Sequence, residues 1–153
     1  ISPQEINCAL MMKNKIVAVP KVVPKTQTMN FYILDNSIKI LKQLETGAFG
    51  ISEPIEKKQN LFNADNFVQK KICVVVPGVA FGSKGQRLGH GMGFYDIYLS
   101  SLKKKCAQNN CELFLAGLCF DFQIKENIPV DENDIFMDSV FSDRKCYFFE
   151  SAE

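Results

Sequence analysis

The sequence is poor in the residues that build metal centres. It has one histidine and six cysteines, and no two cysteines stand in a Cys-x-x-Cys pair. A zinc site is therefore not expected, and the cysteines read as reduced thiols, with Cys73 and Cys119 inside apolar runs expected to be buried strands. Charge of one sign is lacking as well: 18 Lys and Arg stand against 17 Asp and Glu, a net charge of +1. That balance gives no ground for a nucleic-acid or membrane-surface partner. No apolar run approaches the roughly 18–20 residues that span a bilayer. No signal peptide and no internal repeat are visible, so the expectation is a cytoplasmic protein, with an organelle left open because the sequence opens at Ile1.

What is present fits one globular domain: 153 residues, 46% apolar and 23% charged. Apolar spacing over Glu5 to Lys15 predicts the end of a helix, and Lys15 to Pro20 a short strand closed by proline. Met29 to Leu34 reads as a second strand. Ile38, Ile40, Leu41 and Leu44 predict a short helix over Ser37 to Leu44, ended by Gly47. Gly47 to Pro54 is expected to be a shaped loop, followed by a charged connector to Asp65. Lys71-Ile-Cys-Val-Val-Val-Pro77 is apolar on both faces and predicts a central strand covered on each side. A helix is expected from about Phe94 to Asn109 and a further buried strand over Leu113 to Phe120. Short strands such as Lys145 to Phe149 end the chain. Alternating strands and helices of this kind predict an α/β fold, a three-layer Rossmann-like sandwich with a mostly parallel central sheet and a ligand at the strands' carboxyl ends.

The dense constellation lies between Val76 and Asp96. Glycines alternate at 89, 91 and 93 directly before the predicted helix. Lacking Cβ atoms, they can turn N–H groups toward one point and let an anion approach the backbone. The helix N-terminus behind them adds dipole and orphan donors, which makes a phosphate cradle. Arg87 beside it carries a fork suited to phosphate oxygens, and Asp96 in the first turn is placed to hold Mg²⁺. The dinucleotide fingerprint is excluded because the third glycine is not at the required spacing. Gly82-Ser-Lys-Gly85 resembles part of a P-loop, but the order Gly-Lys-Ser/Thr is missing.

Pro77 to Asp96 fits the pattern PG-x-A-F-x-x-x-G-x-R-L-G-x-G-x-G-Y/F-Y-D, which resembles the signature of the 5-formyltetrahydrofolate cyclo-ligase family. Phe49 to Pro54 resembles that family's G-x-F-G-I-x-E-P loop, Ala116 to Ile124 its A-F-D-F-Q-I strand, and Ile128 to Asp134 its I-P-V-E-x-H-D turn. These segments keep the family's order across nearly the whole chain. The resemblance implies a single domain over 1–153 that lacks the family's N-terminal helix and first strand, which would lie upstream of Ile1. It implies ATP-dependent conversion of 5-formyltetrahydrofolate to 5,10-methenyltetrahydrofolate by a monomer that takes these two small molecules and Mg²⁺.

Residue by residue, the resemblance implies that Arg87, Leu88, Gly89, His90, Gly91, Met92, Gly93, Phe94 and Tyr95 bind ATP, with Arg87 and Tyr95 catalytic. His90 to Phe94 would also border the folate, together with Phe49 and Glu53. Asp96 and Asp134 would hold Mg²⁺ as a pair, and removing Arg87 would damage catalysis while sparing the fold. Met92 and Asn133 depart from the family, where basic residues are frequent. Each assignment has a plainer alternative: Asp96 as a first-turn acid complementing the helix dipole, Asp134 as a turn residue, Phe94 and Tyr95 as core aromatics, and His90 as simply exposed. Two rival functions also stand beside it. One is a sugar-phosphate isomerase or deaminase, and the other a nucleotide- or folate-binding module without turnover.

Overall fold

A computed structural model describes residues 3–47 and 50–149 of the chain. The chain divides into two compact units, residues 1–63 and 64–153.

The first unit opens with α1 (Pro3–Met12), a helix where one is expected. Strands β1 (Ala18–Val22) and β2 (Met29–Ile33) follow as an antiparallel pair, with Ala18 opposite Ile33. β1 therefore runs through Pro20 instead of stopping there. Among the described residues β1 pairs only with β2, and an edge strand has no second ladder for a missing N–H to break. The helix expected over Ser37 to Leu44 is replaced by a single 3-10 turn (Ile40–Gln43) and a short strand, β3 (Leu44–Thr46). Gln43 explains the difference. Its side-chain amide accepts from the Asp35 N–H at 2.7 Å and donates to the carbonyls of Asp35 and Ile38, each at 2.9 Å. Those bonds hold the segment as a loop and occupy groups a helix would use. β3 pairs with β4 (Ser52–Pro54), so the expected loop ends in a strand. Val17, Leu34 and Ile40 are buried as a cluster, with Met11, Val19 and Leu44 packed against it.

The second unit is a four-stranded sheet in the order β11-β10-β8-β5: β5 (Lys71–Val76), β8 (Glu112–Leu118), β10 (Ser139–Phe141) and β11 (Cys146–Phe148). The first three are parallel neighbours and β11 is antiparallel. The protein is thus mixed α/β with a mostly parallel sheet. Between β5 and β8 the chain makes a hairpin, β6 (Ala80–Gly82) with β7 (Arg87–Leu88), and then α2 (Phe94–Gln108). A two-residue strand, β9 (Ile124–Lys125), joins β6 from the other side. α2 buries Leu99, Leu102 and Cys106 and lies against β8.

Two expectations about β5 are corrected. It lies at the end of the sheet order among the described residues, not at the centre. Its burial alternates, too: Val74 and Val76 are inside, whereas Val75 is 47% exposed and Cys73 is exposed. An apolar run shows that both faces tolerate burial, not that both are covered. Cys119, expected to be buried, is half-buried.

Gly117 and Gly85 show where this framework requires glycine. Gly117 of β8 lies under the fully buried Phe81 ring, whose nearest carbon would stand 2.5 Å from any added Cβ. Gly85 closes the β6–β7 turn with φ +87° and accepts from the Met137 N–H at 2.8 Å, a conformation that side chains resist. The Gly82-Ser-Lys-Gly85 segment that resembles a P-loop is this hairpin turn.

Candidate functional site

The carboxyl end of β5 leads through Gly78 into the hairpin, and β7 delivers Arg87 to the start of the glycine segment. Gly91 (φ +80°) and Gly93 (φ +69°) take the left-handed backbone that alternating glycines permit. Gly93 caps α2 without any side-chain cap bond, and Ile97 is the first residue whose N–H reaches back to its carbonyl, at 3.0 Å. The first-turn N–H groups of a helix have no intrahelical acceptor, so they point outward as anion donors. Leu88, His90, Gly91 and Met92 are exposed, and Gly89, Gly93, Phe94 and Tyr95 are half-buried. The segment expected to cradle phosphate is an open glycine turn on an uncapped helix end.

Arg87 is not a loose cation beside that turn. It is 8% exposed, and its Nη2 meets Asp96 Oδ2 at 2.7 Å. Nη1 donates to the Pro77 carbonyl at 3.4 Å and would lie 2.8 Å from a Cβ on Gly89. The guanidinium carbon lies 5.7 Å from the centroid of the Tyr95 ring. Nε is buried with no hydrogen-bond partner. Arg87, Tyr95 and Asp96 thus come together as one cluster under the glycine turn. The ion pair is what sequence reasoning missed, although its signal was present: an Arg and a first-turn Asp flank one tight turn. The burial of this pair argues against the expectation that Arg87 can be removed without harm to the fold, because a buried guanidinium paired to a carboxylate is part of the packing.

Burial pushes the Tyr95 phenol up to about 12, against an opposing pull from Arg87. Tyr98 is raised too, by burial first and then by Cys106 and Tyr95, and Tyr147 by burial and Asp121. A phenol whose native pKa exceeds its unfolded value stabilises the fold below the unfolded value, near pH 10, and loses that contribution as pH rises through the native one. Alkaline unfolding is therefore expected between about pH 10 and 12, with phenolate absorbance of these tyrosines appearing together with loss of circular dichroism. Complete ionisation of Tyr95 and Tyr98 near pH 10 in a protein with intact structure would contradict their largely buried placement.

Asp134 closes a turn of its own. Its Oδ2 accepts from the Asp131 N–H at 2.8 Å, and its N–H donates to the Asp131 carbonyl at 3.1 Å. Among the described residues no three His, Cys, Asp or Glu side chains gather as a ready metal cage. Mg²⁺ needs no such cage, since one or two carboxylates with water and phosphate oxygens suffice. In both Asp96 and Asp134 one carboxylate oxygen is engaged and the other lies outside those bonds. Carboxylate oxygens are the kind of donor Mg²⁺ takes.

Glu53 belongs to the first unit and is buried at 8% on β4. Across that unit Lys21 Nζ meets Glu45 at 2.6 Å and the Pro54 carbonyl at 3.2 Å. The Glu45 hydrogen bond raises the Lys21 ammonium above its ordinary value, with Glu56 and Glu53 adding attraction against the cost of burial. Phe49 lies outside the described residues.

Fold and site together define a mixed α/β protein with an open glycine turn between β7 and the N-terminus of α2. A family model described as the 5-formyltetrahydrofolate cyclo-ligase family matches residues 1–143. The chain belongs to that family. It is 28% identical over 137 residues to a probable 5-formyltetrahydrofolate cyclo-ligase of Schizosaccharomyces pombe, covering 87% of this chain and 64% of that protein. With the 5-formyltetrahydrofolate cyclo-ligase of Haemophilus influenzae it shares 31% identity over 135 residues, covering 88% and 65%. The NMR structure of Aquifex aeolicus 5,10-methenyltetrahydrofolate synthetase superposes with a TM-score of 0.69 at 26% identity, covering all of this chain and 68% of that one. The chain thus spans about two-thirds of the length of these relatives.

Proposed function

We propose that the protein converts 5-formyltetrahydrofolate to 5,10-methenyltetrahydrofolate at the expense of ATP. The observation that carries this is the uncapped N-terminus of α2 behind Gly89 to Gly93, with Arg87 and Asp96 paired beneath it, in a chain of the cyclo-ligase family. The formyl oxygen at N5 is a poor leaving group. Transfer of the γ-phosphoryl to that oxygen makes it a good one; N10 then attacks the formyl carbon and phosphate departs, leaving the methenyl bridge and ADP. No covalent nucleophile is needed, so alignment and charge neutralisation are the protein's tasks. Backbone donors of Gly89 to Gly93 and the first turn of α2 hold phosphate oxygens, and Arg87 Nη1 supplies the adjacent positive charge. Tyr95 stays a neutral phenol over the working pH range and positions the guanidinium. His90 to Phe94 border the folate.

Asp96 and Asp134 would hold Mg²⁺, which supplies charge neutralisation at the phosphates when bound. Asp96→Asn and Asp134→Asn should each raise the Mg²⁺ requirement, and the double variant should lose less than the sum if they share one ion. Strictly additive losses would return Asp134 to its turn. The reading also takes the chain as a single-domain, three-layer Rossmann-like sandwich, acting as a cytoplasmic monomer on these two small molecules.

ADP release measured with and without 5-formyltetrahydrofolate is the direct test. Release that depends on the folate and on Mg²⁺ is expected. Nucleotide binding without release would favour a binding module, and turnover without ATP an isomerase or deaminase.

A further inference from the structure

Three parallel strands end side by side, and the residues that follow them are tied together. After β8, a 3-10 turn (Asp121–Gln123) with Phe120 at its N-cap makes side-chain bonds that reach both neighbours. Gln123 Nε2 donates to the carbonyls of Gly78 and Val79, each at 3.0 Å, which follow β5. On the other side the Asp121 N–H donates to Asp143 Oδ1 at 2.7 Å, and Asp121 Oδ1 accepts from Ser142 at 3.2 Å, beyond β10. The Phe120 N–H is held by Gln123 Oε1 at 2.8 Å.

The turn is therefore fixed at Phe120, Asp121 and Gln123, while its two aromatic rings are given to water. Phe120 is 60% exposed and Phe122 74%. The rings stack, with centroids 5.7 Å apart and planes 8° from parallel. A rigid turn that displays two parallel phenyl rings is a surface shaped for a third flat ring. Its position narrows the choice of ring. Val79, to which Gln123 is bonded, donates its own N–H to the Leu88 carbonyl at 2.7 Å, and Leu88 immediately precedes the glycine turn. One residue thus links the aromatic platform to the anion cradle.

We infer that Phe120 and Phe122 form the platform on which the adenine ring of the nucleotide stacks while its phosphates occupy the turn at Gly89 to Gly93. The inference rests on the ATP-dependent reading above and adds the base-binding residues to it. Stacking suits this role because any flat heteroaromatic ring offers a π-face, so the platform contributes affinity without reading hydrogen-bond edges.

Isothermal titration of MgADP, inorganic tripolyphosphate and 5-formyltetrahydrofolate tests it, using the full protein, Phe120→Ala/Phe122→Ala and Phe120→Tyr/Phe122→Tyr. The alanine pair should weaken MgADP by roughly 5- to 100-fold, leave tripolyphosphate unchanged, and keep the melting temperature. The tyrosine pair should restore MgADP binding. Unchanged MgADP affinity in the alanine pair would overturn the inference, as would an equal loss of tripolyphosphate. A loss confined to 5-formyltetrahydrofolate would overturn it as well, because the platform would then serve the folate's rings. If the parent protein binds neither MgADP nor tripolyphosphate, the nucleotide reading itself fails. That outcome is distinct from a parent that binds both and variants that behave like it.

Discussion

Arg87→Ala is expected to lower the unfolding free energy by about 2–4 kcal/mol and to abolish anion binding at the glycine turn. The two effects share one cause. The Arg87 side chain is 5% exposed and that of Asp96 22%, with 2.7 Å between Nη2 and Oδ2. Removing the guanidinium strands a half-buried carboxylate directly behind the helix end that should attract phosphate, so the local field changes sign. It also empties the space beneath Gly78 and Gly89, where the Arg87 stem and Nη1 now lie close. Asp96→Leu should be less harmful to the fold than Arg87→Ala, because the partner it leaves can still reach the Pro77 carbonyl. Arg87→Met/Asp96→Leu should recover much of the stability without recovering binding, since two apolar groups leave no uncompensated charge. Urea unfolding of the parent, Arg87→Met, Asp96→Leu and Arg87→Met/Asp96→Leu forms a double-mutant cycle that measures the coupling. Arg87→Ala as stable as the parent would show that the pair contributes nothing to the fold.

Phe81→Ala should be at least as damaging to stability, by about 3–5 kcal/mol. The ring is fully buried, lies within 2.8 Å of where a Cβ on Gly78 would be, and covers Gly117 of β8. Two glycines have given up their side chains to that ring, and their backbones cannot close on the hole it would leave. Phe81→Leu should lose less, because it refills part of the volume. Thermal or urea unfolding gives the difference, and a loss below about 1 kcal/mol would mean that the site collapses freely.

How much of this could be read from the residues differs along the chain. α2 is legible almost to the residue, because fifteen positions of helical spacing behind a glycine start leave little freedom. β2, β8 and the strand at Cys146 also lie where their apolar residues place them. The Ser37 to Leu44 segment misleads because its apolar spacing is too short to outweigh one glutamine that bonds the backbone three times. β5 misleads for another reason: apolar faces report what burial would tolerate, and its sheet neighbours are set by pairings distant in sequence. At the site, the glycine turn and helix end follow from composition. The Arg87–Asp96 pair and the Phe120–Phe122 stack depend on side-chain geometry that no spacing rule carries.

The crossover from β5 to β8 bears on how the glycine turn can vary. Lys71 pairs with Glu112 only after the chain has passed through a hairpin and a helix. The entropy of closing so long a loop grows only logarithmically, by about 0.6 kcal/mol for each doubling. A residue or two inserted among Gly89 to Gly93 would scarcely disturb the parallel ladder on that account. The same insertion would carry Asp96 away from Arg87, since β7 fixes one partner and α2 the other. The length of the turn is therefore constrained by the span of a single ion pair, and far less by the topology around it.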